Sequence, residues 1–140
     1  MPLPAPVPGL VICYAYLWHD EYKAGAEEGR KDRPCAIVVA TTDADGDTAV
    51  WVAPITHIKP DDPHAVLLPQ SVKRRLGLDD RPSWVVTDEL NQFIWPGHDL
   101  RPIAREKRDT FAWGFLSVET FSAIKRSIAA NAARLRKVPR

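Results

Sequence analysis

The sequence predicts a mainly β fold: a small curled antiparallel barrel with a packed C-terminal α-helix. Short β-branched and aromatic runs recur through the first hundred residues, separated by turn signals. The longest helical periodicity falls after Ser117, at the end of the chain. A length of 140 residues suits one domain of this architecture.

The elements follow in order. The proline-rich MPLPAPVP, residues 1–8, reads as an extended lead-in, without the basic start of a signal peptide. Residues 9–140 form the single domain. GLVICYAYLW (9–18) is a first strand, and the polar 19–32 is a long loop of the kind that often carries function. RPCAIVVATT (33–42) is a second strand buried on both faces, with Pro34 at its start, where a missing N–H does no harm. Asp45-Gly46 marks a hairpin turn, and TAVWVAPITHI (48–58) returns antiparallel. VLLP is a short strand, and QSVKRRLGL is a helical turn or two closed by Gly77. SWVVTDELNQFIW (83–95) reads as one strand running past Asp88, and PGHDLRPI turns back toward a final short strand. Ser117 is a good N-cap. Phe121, Ile124, Ile128, Ala132 and Leu135 then recur as one apolar helical stripe.

Composition narrows the function classes. Hydrophobic residues make up 45% and charged residues 26%, and no apolar run approaches the ~18 residues of a membrane span. These features predict a cytoplasmic protein with no membrane association. Residues 101–140 hold ten Lys/Arg against three Asp/Glu, so the near-neutral total of +1 hides a basic C-terminal part. That pattern suits either a polyanion partner or a basic helix end complementing its own dipole. Cys13 and Cys35 form no CxxC pair, which predicts buried reduced thiols. His19-Asp20, His64 and His98-Asp99 match no standard metal spacing, so neither a metal nor a cofactor is expected.

Three motifs stand in order along the chain: RPCAIVVA, VAPITH (52–57) and SWVVTDELNQF. Together they resemble the MazF/PemK family of toxin–antitoxin endoribonuclease toxins, over roughly residues 9–136. The resemblance implies an SH3-like barrel with a C-terminal helix, a homodimer, and metal-free cleavage of single-stranded RNA in a groove blocked by a cognate antitoxin. Such cleavage uses the 2′-hydroxyl as nucleophile and passes through a doubly negative phosphorane. It needs fixed donors on the equatorial oxygens and acid–base groups on either side.

Arg33, stiffened by Pro34, supplies a planar and permanently charged fork. Thr56 offers a hydroxyl, His57 a proton carrier, and Asp88 an orienting carboxylate, which makes these four the expected catalytic set. Glu28 (or Glu27) matches the glutamate that family members carry before G-x-R-P. Glu28, Arg30, Lys31, Asn91 and Trp18 are the expected substrate-binding residues, Trp18 (or Trp95) as a base-stacking surface. Phe121 and Ile124 are expected on the homodimer face.

Bland roles stand beside these: an ion pair of Arg33 with Asp88 or Glu89, strand propensity for Thr56, solvation for His57. The sequence also departs from the family pattern. Gly29 lies four residues before Arg33 rather than two, and Asn91 and Val86 stand where members carry basic residues. Asn91 and Val86 favour a non-catalytic member that binds nucleic acid or a protein. Arg33, Thr56 and His57 favour the enzyme, and a gyrase-poison-like toxin of the same fold is a third reading.

Overall fold

The computed structural model describes residues 3–26, 29 and 31–140. The elements are β1 (Leu10–Tyr14), α1 (His19–Lys23), β2 (Arg33–Thr42), β3 (Thr48–Thr56), β4 (Val66–Leu67), α2 (Gln70–Leu76), β5 (Trp84–Val85), β6 (Glu89–Ile94), β7 (Ala112–Phe115), α3 (Val118–Ala130) and β8 (Arg136–Pro139). A main sheet of six strands, in the order β7-β1-β2-β3-β6-β8, curls into a half-barrel; β5 and β4 extend it beyond the end of β3. Every pairing is antiparallel except β6 with β8. The fold agrees with the expected small antiparallel β barrel with a C-terminal helix, its sheet curled into a half-barrel.

Alternation along the central strands explains their unbroken apolar character. Val11, Ala36, Val38 and Ala53 pack on one face with Leu68, Val72 and Leu76 around α2, and with Ile124 of α3. Leu10, Ile12, Tyr14, Cys35, Ile37, Val50 and Val52 pack on the other with Tyr16 and Phe93. Both faces are covered, so period-2 polarity never shows. The same alternation sends Cys13 and Cys35 to opposite faces: Cys13 pairs with Pro34, and Cys35 with Ile12. Pro34 costs nothing here. The backbone of Cys13 donates to the Phe111 carbonyl and accepts from the Arg101 N–H, on the side away from β2. Bulges at Val38 in β2 and at Trp113 in β7 sharpen the curl.

Four expectations change. Residues 19–23 are helical rather than loop, because Glu21 reaches back to accept the Trp18 N–H at 3.1 Å while Glu89 accepts the His19 N–H at 3.0 Å. The strand expected over 83–95 divides into β5 and β6. Val86 donates to the Pro54 carbonyl, and Thr87 turns inward to accept from the Asn131 amide, which bends the chain between them. Helix α3 stops at Ala130, since Asn131 spends its amide on Asp62 (2.8 Å) and Thr87 (3.1 Å). The chain then adds β8 beside β6, so the basic C-terminal residues complement no helix dipole. Arg136 pairs with Asp88 and Glu89 instead, and Lys137 lies over the Trp51 ring. Finally, Ile124 is 0% exposed in the core and offers nothing to a partner, while Phe121 is half-buried.

One clasp closes the half-barrel. The Asn91 carboxamide accepts the Leu17 N–H at 2.8 Å and donates to the Leu17 carbonyl at 2.7 Å, a side chain standing in for a neighbouring strand. Tyr16 donates to Glu89 at 3.1 Å, and Arg140 donates to the Ala15 carbonyl at 3.1 Å. The segment after β1 is thereby laid across β6 and β8. Gly29 lies so close to the Tyr16 carbonyl that any Cβ would run into it, which fixes the path toward β2.

Asn91→Ala strands both Leu17 backbone groups in the interior, at about 1–3 kcal/mol each. The expected loss is about 2–5 kcal/mol, read as a lower urea midpoint with an unchanged slope. A loss under about 0.5 kcal/mol, the level of an ordinary surface change, would show that the clasp does not hold the fold.

Candidate functional site

An open cleft of about 690 Å3 lies at one end of the half-barrel. Arg33 and Pro34 at the start of β2 form one wall, and Ile55, Thr56 and His57 at the end of β3 form the next. The end of α2 with Leu78 and Asp79 stands beside them, and the segment from Pro102 to Arg108, with Trp113, stands across. The sheet brings these residues together because Cys35 pairs with Pro54, so the start of β2 and the end of β3 run out at one rim.

Arg33 carries a guanidinium with no carboxylate within ion-pair distance among the described residues. Asp88 and Glu89, its alternative partners, both lie with Arg136, at 3.8 and 3.5 Å. The fork sits 4.9 Å over the Trp18 ring, and its Nε is buried without a hydrogen-bond partner. A cation backed by an indole face is held in place without being neutralised. Thr56 accepts the Ile58 N–H through Oγ1 at 3.2 Å, so its own O–H remains available to donate.

His57 is anchored on both nitrogens. Nε2 lies 2.9 Å from Asp79 Oδ2, and Nδ1 lies 3.1 Å from both the Pro82 carbonyl and Ser83 Oγ. Asp79 is in turn held by Lys73, whose ammonium is 1% exposed, contacts Asp79 Oδ1 at 3.1 Å and donates to the Arg81 carbonyl. Burial raises the Asp79 carboxyl. The Lys73 hydrogen bond, the His57 charge, the Arg81 N–H and the Lys73 charge outweigh it and keep the carboxyl below its ordinary 3.8. Ser83, His57 and Asp79 have the residue types of a nucleophile, a base and an orienting acid. Ser83, however, is 2% exposed and its hydroxyl also reaches the Arg81 carbonyl at 3.2 Å, so it braces the ring and offers no open nucleophile. Cys13 on the cleft floor is no nucleophile either. Burial and the Asp32 charge, against Arg101, push its thiol up to about 11.

Of the sequence-predicted residues, Arg33, Thr56, His57 and Lys31 line this cleft. Asp88 does not; it is half-buried beside Arg136. Asn91 does not; it is 0% exposed and spends its amide on Leu17, where no ligand reaches it. Trp18 backs Arg33 and packs edge-on to Tyr16 at 5.0 Å, and Trp95 lies against Phe93. The tryptophan in the cleft is Trp113. Glu28 and Arg30 lie outside the described residues, as does Glu27.

Sequence reasoning missed Lys73, Asp79, Arg105, Arg108 and Trp113. The Gly77 stop signal could have placed Asp79 at a helix end, but nothing local ties it to His57, 22 positions earlier. Among the described residues, no group of three or more His, Cys, Asp or Glu is arranged to hold a metal ion. No helix of the described residues is long and apolar enough to cross a membrane.

Five Lys/Arg against two Asp line the cleft, a local net of +3 with His57 neutral, against +1 for the whole chain. Lys73 and both aspartates have partners, whereas Lys31, Arg33, Arg105 and Arg108 have no ion-pair partner among the described residues. The cleft is a cationic surface with an apolar wall of Leu78, Pro102, Ile103 and Trp113. It suits a flexible polyanion carrying flat apolar groups.

Because the folded Asp79 carboxyl is lowered, its stabilising contribution is fully present above 3.8 and is lost as pH falls through the folded value. In urea midpoints measured from about pH 5 down to about pH 2, Asp79→Asn should flatten part of the wild-type acid decline. Parallel curves for the two proteins would refute the Lys73–Asp79–His57 row as an ionised unit. In comparisons with known proteins, no family model matches the chain and no curated protein matches it.

Proposed function

We propose that this chain is a MazF/PemK-like toxin component of a type II toxin–antitoxin system, a metal-independent endoribonuclease acting on single-stranded RNA in the cytoplasm. The observation that carries the reading is the indole-backed Arg33 guanidinium, without a carboxylate partner among the described residues, lining the same open cleft as the Thr56 hydroxyl. In the proposed reaction the ribose 2′-oxygen forms a bond to phosphorus and the bond from phosphorus to the 5′-oxygen breaks. The products are a 2′,3′-cyclic phosphate and a 5′-hydroxyl.

Arg33 and the Thr56 O–H donate to the phosphorane oxygens, where charge develops. His57 is the proton carrier of the wall. Asp79 holds its Nε2, and the Pro82 carbonyl and Ser83 hydroxyl hold its Nδ1, so proton exchange with RNA requires one ring nitrogen to release its partner. A homodimer and an acidic antitoxin segment covering the cationic cleft belong to the same reading.

A second reading has its own support. The position where the family carries an arginine is Asn91, and it is committed to the fold. A cleft short of that cation suits a member that binds nucleic acid or a protein partner without cutting.

Arg33→Ala should keep the wild-type melting profile and lose about 10²–10³ in cleavage rate, the usual effect of removing one transition-state donor. Metal-stripped wild type incubated with end-labelled single-stranded RNA should give cyclic phosphate termini. Binding without new ends would favour the second reading, and a variant cutting at the wild-type rate would remove Arg33 from the chemistry.

A further inference from the structure

The wall facing Arg33 is built from a part of the chain that the proposed chemistry does not use. Its base is pinned at Arg101. The Arg101 N–H donates to the Cys13 carbonyl at 2.8 Å, while its guanidinium donates to the His98 carbonyl at 2.6 Å and lies 3.7 Å from both Asp32 and Asp99. Beyond it, residues 103–110 close on themselves. Ile103 donates to the Thr110 carbonyl at 2.8 Å, Thr110 to Lys107 at 3.0 Å, and Lys107 to Ala104 at 3.1 Å. This holds Arg105 and Arg108, both exposed and without a carboxylate partner among the described residues, on the cleft side of a tied loop.

The loop leads directly into β7, where the register against β1 slips. Val11 faces Gly114 and Ile12 faces Ala112, so Trp113 is the extra residue. A bulge turns its side chain away from ordinary alternation. Gly114 makes the bulge feasible: it sits at φ +135, and a Cβ there would stand 3.2 Å from Leu76. The bulge leaves Trp113 half-buried, packed against the core and lining the same cleft as Ile103 and Leu78. A large aromatic surface left partly open in a cleft that also carries Arg33, Arg105 and Arg108 is poor packing for a structural tryptophan. It is good packing for a stacked base flanked by phosphates.

We propose that Trp113, Arg105 and Arg108 form a neighbouring-nucleotide subsite. Trp113 stacks one base of a single-stranded chain, and the two arginines hold the phosphate beyond it while Arg33 faces the phosphate that is cut. The subsite rests on the single-stranded RNA reading of the cleft. It predicts that the minimal good ligand spans at least two phosphates, one for Arg33 and one for the arginine pair.

The test uses a fluorescein-labelled, fully 2′-O-methylated oligoribonucleotide, which binds but has no free 2′-hydroxyl to attack. Arg105→Ser/Arg108→Ser, on an exposed loop, should weaken binding at least tenfold and reduce the dependence of log Kd on log salt by about 0.7 per phosphate lost. Trp113→Leu should weaken binding by about 5- to 150-fold, with Trp113→Phe restoring most of it, the range expected for one stacked base. Thermal melting of each variant separates lost binding from lost folding. If the wild type binds the strand and the arginine double variant matches it in affinity and salt slope, the subsite is wrong and the RNA reading stands. If Trp113→Phe binds as poorly as Trp113→Leu while both fold, stacking is refuted. If the wild type neither binds the modified strand nor cuts its unmodified counterpart, the RNA reading falls and takes the subsite with it.

Discussion

The two-point clasp between the Asn91 carboxamide and the Leu17 backbone is the constraint from which the site descends. A half-barrel leaves the strand after its last partner unpaired, and buried backbone groups must find partners somewhere. Asn91 supplies both an acceptor and a donor in the spacing of one antiparallel pair, so Leu17 is fixed without a strand beside it. Trp18 follows in the chain and is therefore fixed too, with Tyr16 packed against its edge. Trp18 is the surface on which Arg33 rests. A hydrogen bond in the interior thus decides where a guanidinium stands at the rim.

The distribution of charge follows the same logic. Four of the ten basic residues after position 100 pair with carboxylates: Arg101 with Asp32 and Asp99, Arg134 with Asp62, Arg136 with Asp88 and Glu89, Arg140 with Asp99. Glu89 shows what such internal use entails. Burial raises its carboxyl and outweighs the His19 N–H, the Tyr16 O–H and the Arg136 charge that favour the ionised form. Once these pairs are set aside, the cleft cations with no ion-pair partner among the described residues are Lys31, Arg33, Arg105 and Arg108. The excess of basic residues after position 100 is therefore a poor guide to where the anion-attracting surface lies. Two of its four cations come from the acidic first part of the sequence.

Much of the fold was legible because local signals agreed with long-range pairing. RPCAIVVATT, the Asp45-Gly46 turn, Gly77 as a helix stop and Ser117 as an N-cap each act through their immediate neighbours, and the structure uses all four as read. The errors fall where a distant partner overrides a local pattern. Nothing near residue 19 announces that Glu89 will accept its N–H. Nothing near 86 announces that Asn131 will pull Thr87 inward. The site divides in the same way. Arg33, Thr56 and His57 sit at strand ends, where sequence order predicts a shared rim, and the sheet brings them to one cleft. Lys73 looks like any solvated helix lysine until Asp79 and the Arg81 carbonyl enclose it. Trp113 looks like strand packing until the register slips.

Asn91 also explains why the cleft's cations stand where they do. An arginine at that position would place a guanidinium at a point with no exposure, among Leu17, Val52 and Val138, and deny Leu17 its partners. Burying such a charge unpaired costs far more than a hydrogen bond returns. The carboxylate two residues before it on β6, Glu89, is already shared among Tyr16, His19 and Arg136. A chain that closes its half-barrel with an asparagine clasp therefore gives up a cation from β6. Any anion it holds must be met from the rim, by Arg33 on one wall and the tied loop on the other. Charges at an open rim are screened by salt more strongly than an interior one. The clasp thus leaves the charge of the cleft at a rim open to salt screening, with Arg33 positioned there through Leu17 and Trp18.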